Sequence, residues 1–206
     1  MATSTLRQQR AQQTRQRICD SAKELFLSRG YAATTITEIA RAAGVAQQTV
    51  YFVFGSKAAL LSAILDTEIV GDLDTVPLLD RPQVRGLAKI SDPRRRLARI
   101  VTLNCDITSR LAPLYEIVRG GTADDDVRAL LDRHEEQRWR TDRSLVDLLA
   151  ADLIPGLSPG EAADRLYALL SHDVLWLLTR RRGWSVARWR EYVGEQAAHQ
   201  LLPAPA

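Results

Sequence analysis

The stretch at residues 34–57, TTITEIARAAGVAQQTVYFVFGSK, leaves this chain few folds to choose from. Ile36, Ile39, Ala40 and Ala43 recur at helical spacing, and Gly44 follows them with the left-handed freedom that closes a helix. Thr35 and, three residues on, Glu38 form a capping box that fixes where this helix begins. A second helix must then start almost at once. In it Val50 and Phe54 are spaced to turn inward, while Gln47, Gln48, Tyr51 and Phe52 point outward.

A helix, a tight turn containing glycine and a second short helix offering amides and a phenol make up a helix-turn-helix suited to the DNA major groove. Glutamine can pair with adenine N6 and N7 through two hydrogen bonds, and Thr and Tyr hydroxyls reach bases or phosphates. Taken alone, the spacing also fits an ordinary helix pair in an all-helical core.

The flanks narrow the choice. A helix RICDSAKELFLSRGY precedes TTITEIARAAGV and QQTVYFVFGSKAALL, and over residues 14–65 this resembles the DNA-binding domain of the TetR family of bacterial transcriptional regulators. The resemblance implies that Gln47, Gln48, Thr49 and Tyr51 meet DNA, and that Thr37 and Lys57 lie at phosphate contacts. The sequence departs from the pattern in three respects. Val53 replaces a polar phosphate contact, Ala46 replaces the Ser or Thr that caps the second helix, and Ala58 and Ala59 replace acidic residues after the Ser-Lys pair. Loss of a side-chain cap typically costs about 1 kcal/mol of helix stability.

Charge is distributed in the same sense. Residues 1–57 carry eight basic and three acidic side chains although the whole chain is only +3. Arg7, Arg10, Arg15 and Arg17 all precede the first acid, Asp20, in a Gln-rich segment. Residues 1–13 are expected to be a disordered basic arm, either tracking phosphates or serving as a solvated tail. A content of 46% hydrophobic and 26% charged residues fits a folded globular chain. No apolar run approaches the roughly 20 residues that span a bilayer, and no signal-peptide core is present, so a cytoplasmic protein with no membrane partner is expected. Cys19 and Cys105 read as buried small hydrophobes, not as a disulfide.

The predicted fold is all-α, about nine helices. A helix at 14–29 braces the reading pair, giving a DNA-binding domain at 14–57, and a helix at 56–70 links it to a larger effector-binding and dimerisation domain at 58–206. A broken stretch follows to Ser91, then a helix from Pro93 to about Arg110, a short one from Pro113 to Gly120, and another from Asp124 to about Asp152. Two more are expected, from Ser158 to about Arg181 and from Ser185 to about Leu201.

GLSPG at 156–160 matches a hydrolase nucleophile elbow, but no strand precedes it and Pro159 has no N–H for an oxyanion hole. Ser158 as cap, Pro159 at the first position and Glu161 at the third instead describe a helix start. His134, His172 and His199 are scattered without metal-ligand spacing, so neither catalytic residues nor a metal or cofactor are expected. Polar interruptions of apolar stripes suggest a small-molecule site: Asn104 and Thr108 on one helix, His134 and Arg138 on the next, with Tyr115 and Trp176, and also Trp139, as candidate walls. The alternative is that these groups satisfy one another in a packed core. Leu166, Leu170, Trp189 and Val193 on the last helices suggest a four-helix interface between two copies, or else helix faces spent inside one subunit. Together these features predict a homodimeric repressor that binds a palindromic operator and is released by an effector. The competing reading is a helical ligand carrier or enzyme that binds no operator.

Overall fold

A computed structural model describes residues 2–71 and 76–205, with side chains described from residue 6. Every regular element among them is helical: α1 (Ala2–Arg29), α2 (Ile36–Ala43), α3 (Gln47–Phe54), α4 (Lys57–Val70), the single turn α5 (Pro82–Arg85), α6 (Pro93–Gly120), α7 (Asp125–Asp147), α8 (Pro159–Leu169), α9 (His172–Trp176) and α10 (Val186–Leu201). Apart from the one-turn α5, this matches the expected number of helices. No single helix among the described residues is long and apolar enough to cross a membrane.

The chain packs as two units, one of residues 1–73 with 113–131, the other of 74–112 with 132–206. Where the sequence suggests a boundary at 57/58, the first unit therefore keeps α4 and adds the end of α6 and the start of α7. Within it α1 packs on α2 and α4, and α2 on α3. Ile18, Ala22, Phe26, Ile39, Val50, Leu60 and Leu61 are buried there.

The caps form as expected. Thr35 accepts from the Glu38 N–H at 3.2 Å while the Glu38 carboxylate accepts from the Thr35 N–H at 3.0 Å. Gly44 closes α2 at φ 64°, where a side chain would be strained. Ala46 gives α3 no side-chain cap, and Ser56 caps α4.

Three expectations need correcting. The segment expected as a disordered arm is helical from Ala2 and continues α1, consistent with its run of Gln, Arg and Ala, all good helix formers. Pro113 does not start a helix but lies inside α6. The apolar residues on both sides of it, Ile107, Leu111, Leu114 and Val118, are buried, so packing outweighs the one backbone hydrogen bond that proline removes. The helix expected at 158–181 breaks after Leu169, and Ser171 starts α9 by accepting from the Val174 N–H at 3.1 Å.

In the second unit Leu97, Ile100, Leu145, Leu149, Leu166, Trp189 and Val193 belong to one core. Leu166, Leu170, Trp189 and Val193, candidates for an interface, are thus core residues at 0–1% exposure and offer no surface to a second copy. Their stripes are spent inside the subunit, where α8 packs on α10. Cys19 and Cys105 are free and buried, and burial pushes their thiols up to about 11 and about 12.

Candidate functional site

The outward face of α3 is built by anchoring its opposite side. Val50 is 1% exposed, and Phe54 is half-buried with the Arg15 guanidinium stacked 4.7 Å from its ring centre. This leaves Gln47, Gln48 and Tyr51 exposed, Thr49 half-buried and Phe52 91% exposed. The Thr37 hydroxyl donates to Gln47 Oε1 at 3.2 Å, so the first residue of α3 is tied to α2 and its amide NH2 is the end left to a partner. Phe52 is the exposed side chain of this face that sequence reasoning left out of its contact set. Its outward spacing was legible, but its near-complete exposure was not. Phenylalanine can contact the thymine 5-methyl group in the major groove.

Lys57 is turned into the protein. Its Nζ donates to the Tyr31 and Thr34 carbonyls, both at 3.0 Å, and sits 4.1 Å from the Tyr31 ring centre. Burial lowers its pKa, against the opposing field of Asp124. The Thr34 hydroxyl in turn donates to the Gly30 carbonyl at 2.8 Å. Two of the three ammonium donors thus hold the loop between α1 and α2, a use of Lys57 different from the expected phosphate contact. Tyr31 is 4% exposed, and burial, helped by Asp124 and Asp126, pushes its hydroxyl up to about 12.

The six candidate ligand residues are divided between the two units. Tyr115 belongs to the first unit, and Asn104, Thr108, His134, Arg138 and Trp176 to the second. Asn104 and Thr108 point inward as their spacing predicts, but each bonds backbone. Asn104 Nδ2 donates to the Ile100 carbonyl at 3.1 Å, and the Thr108 hydroxyl to the Leu170 carbonyl at 3.2 Å. That second bond explains how the α8–α9 break is tolerated. Ser171 and Val174 direct their N–H groups to Ala168 O and Ser171 Oγ, so the Tyr167 and Leu170 carbonyls lose their helical donors. Arg138 Nη1 takes the Tyr167 carbonyl at 3.2 Å as Thr108 takes that of Leu170. Trp176 is half-buried beneath Arg181, 5.1 Å from its ring centre, and His134 is half-buried.

Arg138 is the centre of a wider cluster. Its guanidinium bonds the Glu135 carboxylate at 3.1 and 3.3 Å, lies 3.6 Å over the Tyr167 ring, and comes within 3.8 Å of Asp142. The Tyr167 hydroxyl donates to the same Glu135 carboxylate. Asp142 was missed by the sequence reading, because an acid one turn beyond Arg138 looks like an ordinary surface pair. It is in fact fully buried, and neither carboxylate oxygen has a hydrogen-bond partner among the described residues. Burial pushes its carboxyl up to about 7 against the pull of Arg138, while burial pushes His172 down to about 4.

Beside the cluster is an open groove of about 460 Å³ lined by Asp132, Glu135, Glu136, Trp139 and Tyr167. Trp139 Nε1 donates to Asp164 at 2.8 Å, fixing the indole.

Asp142 makes stability depend on pH. The folded chain holds its proton up to about pH 7, whereas the unfolded value is 3.8. Its burial therefore costs nothing below pH 3.8, costs more as pH rises through that interval, and costs most above 7. Asp142→Asn is expected to raise stability by about 2–4 kcal/mol at pH 8, with the gain shrinking towards pH 5, as measured by urea unfolding at both values. An equal effect at the two pH values would contradict the burial cost.

These features define an all-helical chain whose N-terminal unit presents a helix-turn-helix and whose second unit carries a polar cluster beside a groove. Residues 18–64 match the family described as bacterial regulatory proteins, tetR family. The transcriptional regulator TtgR of Pseudomonas putida is 44% identical over 57 residues, which are 28% of this chain and 27% of that protein. The chain thus spans only about a quarter of the length of the curated relative it matches. Among solved structures, a protein from Saccharomonospora viridis described as a transcriptional regulator, in complex with choline, is 25% identical, with a TM-score of 0.67 over 92% of this chain and 98% of that one. NalD, described as the secondary repressor of the MexAB-OprM multidrug efflux pump in Pseudomonas aeruginosa, is 25% identical, with a TM-score of 0.67 over 93% and 98%. Over residues 18–64 the chain is thus similar to the tetR family of bacterial regulatory proteins.

Proposed function

We propose that this chain is a cytoplasmic, ligand-responsive transcriptional repressor that acts as a homodimer on palindromic duplex DNA. The observation that carries the reading is the face of α3. Gln47, Gln48, Tyr51 and Phe52 are exposed together on a helix whose other side is locked by Val50 and by Arg15 over Phe54. Thr37 and Thr49 support that face, Thr37 through its bond to Gln47. One short helix makes few base contacts, so a second copy about one turn of DNA, ~34 Å, away supplies the rest. The two copies pair through outer surfaces near the last helices, where Leu177 and Val186 are exposed, since the inner stripes are already buried. NalD, a structure of like fold, is described as a repressor, and the Saccharomonospora viridis protein holds choline, which supports repression and a small-molecule effector here. The effector acts by binding more tightly to a state in which the two reading helices no longer fit the duplex. The role is regulatory, not catalytic: Ser158, in the elbow-like GLSPG, is occupied as the cap of α8, accepting from the Glu161 N–H at 3.2 Å.

Gln47→Ala is expected to lower affinity for a selected duplex by about 1–3 kcal/mol and to relax preference at one base pair per half-site. Binding is measured by fluorescence anisotropy on base-substituted duplexes. Equal loss on every sequence would remove Gln47 from base reading.

A further inference from the structure

We infer that the groove of the second unit is a site for an organic cation, a quaternary or tertiary ammonium carrying an apolar or aromatic body. The inference rests on the regulator reading only for the biological role of this ligand as effector. Three carboxylates, Asp132, Glu135 and Glu136, and two aromatic rings, Trp139 and Tyr167, line the groove, with Glu135 bonded by Arg138 at 3.1 Å and Glu136 by Arg140 at 2.7 Å. Its volume of about 460 Å³ lies in the range of small-molecule sites. Carboxylate and aromatic faces together select a soft cation, the rings through their quadrupoles and the acids through charge. An anion meets three carboxylates and is repelled.

The chain already demonstrates this chemistry on one of its own cations. Arg138 occupies the face of Tyr167 at 3.6 Å with its guanidinium bonded to Glu135 at 3.1 Å. The groove opens beside that pair, so a bound ammonium competes with Arg138 for Glu135 and for the Tyr167 ring. A second, independent feature makes the exchange possible. The Asp142 carboxylate is fully buried, has no hydrogen bond among the described residues, and stands 3.8 Å from the same guanidinium. It is an acceptor waiting for Arg138. When a ligand cation takes Glu135, Arg138 closes on Asp142, and the ligand's charge settles a buried group that is unsatisfied in its absence. Because Arg138 also holds the Tyr167 carbonyl at the α8–α9 break, its movement reaches the backbone of that break.

The test is calorimetric titration of the full chain with benzyltrimethylammonium and with the uncharged 2,2-dimethyl-3-phenylpropan-1-ol, which has nearly the same shape. The cation is expected to bind at least about tenfold more tightly than the alcohol. Trp139→Ala and Glu135→Gln should each weaken it by about tenfold. Asp132→Asn, an exposed change that leaves the fold alone, should weaken it by a smaller factor. Asp142→Asn does not touch the groove, yet it should weaken the cation several-fold because Arg138 loses its second anionic partner. Alcohol and cation binding equally well, no cation binding, or cation affinity unchanged in all four variants would overturn the inference. Duplex affinity is read separately by anisotropy with and without the cation. Cation binding that leaves duplex affinity unchanged supports the site and refutes only its role as effector. Duplex binding by a chain that takes no cation refutes the site and leaves the DNA reading intact.

Discussion

Arg138→Met is expected to destabilise the protein by about 3–5 kcal/mol at pH 8, the usual cost of stranding a buried charge by deleting its partner. Methionine keeps an unbranched apolar stem but removes the guanidinium over the Tyr167 ring and with it every donor. Glu135 loses bonds of 3.1 and 3.3 Å, the Tyr167 carbonyl loses one of 3.2 Å, and Asp142 loses the cation 3.8 Å away. The Tyr167 carbonyl cannot return to its helical donor, because the Ser171 N–H already bonds Ala168 O at 3.2 Å. The loss should depend on pH in a definite sense. Asp142 holds its proton up to about pH 7, so at pH 5.5 it is neutral and needs no cation, and the variant should recover part of its deficit. Urea unfolding at the two pH values measures this. A loss below about 1 kcal/mol, typical of surface ion pairs, would mean that Arg138 does not organise the cluster.

Lys57→Met is the second large change, with an expected loss of about 2–3 kcal/mol from two hydrogen bonds to a charged donor and one cation–aromatic contact. Its ammonium holds the Tyr31 and Thr34 carbonyls, and the next residue, Thr35, begins the capping box of α2. Loosening this loop should weaken duplex binding on all sequences alike. The slope of log affinity against log salt should stay where it is, since a side chain engaged inside the protein neutralises no phosphate. A slope reduced by about one without loss of stability would return Lys57 to the phosphate contact that the sequence implies.

Local signals in the sequence were strong wherever neighbouring residues decide the structure. Thr35 with Glu38, Gly44, Ser56 and Ser158 each start or stop a helix through atoms within a few residues, and each does so as its spacing predicts. The inward turn of Asn104 and Thr108 was legible for the same reason. What these side chains bond was not. Thr108 answers a carbonyl 62 residues away that is exposed only because Ser171 restarts the helix. An apolar stripe says that a face is buried and not what covers it, so Trp189 and Val193 fitted a dimer interface as well as a core. Pro113 looked like a boundary because helix-breaking is a local property and the packing of Leu111 and Leu114 is not. Asp142 was hidden because burial of an acid is a fact of tertiary structure. The groove was visible only in part, through Trp139, since three of its other walls, Asp132, Glu135 and Glu136, are charged positions that read as solvated surface.

The central claim is that the exposed face of α3 lies against base-pair edges. Selection of duplexes by the purified chain from a random pool, followed by anisotropy titration of the winning sequence at several salt concentrations, tests it most directly. The account predicts an inverted repeat with half-sites about one helical turn apart, affinity falling steeply with salt, and loss of sequence preference when Gln47 and Phe52 are both replaced by alanine. Duplexes without a shared motif, or a motif read equally well by the doubly substituted chain, would contradict it.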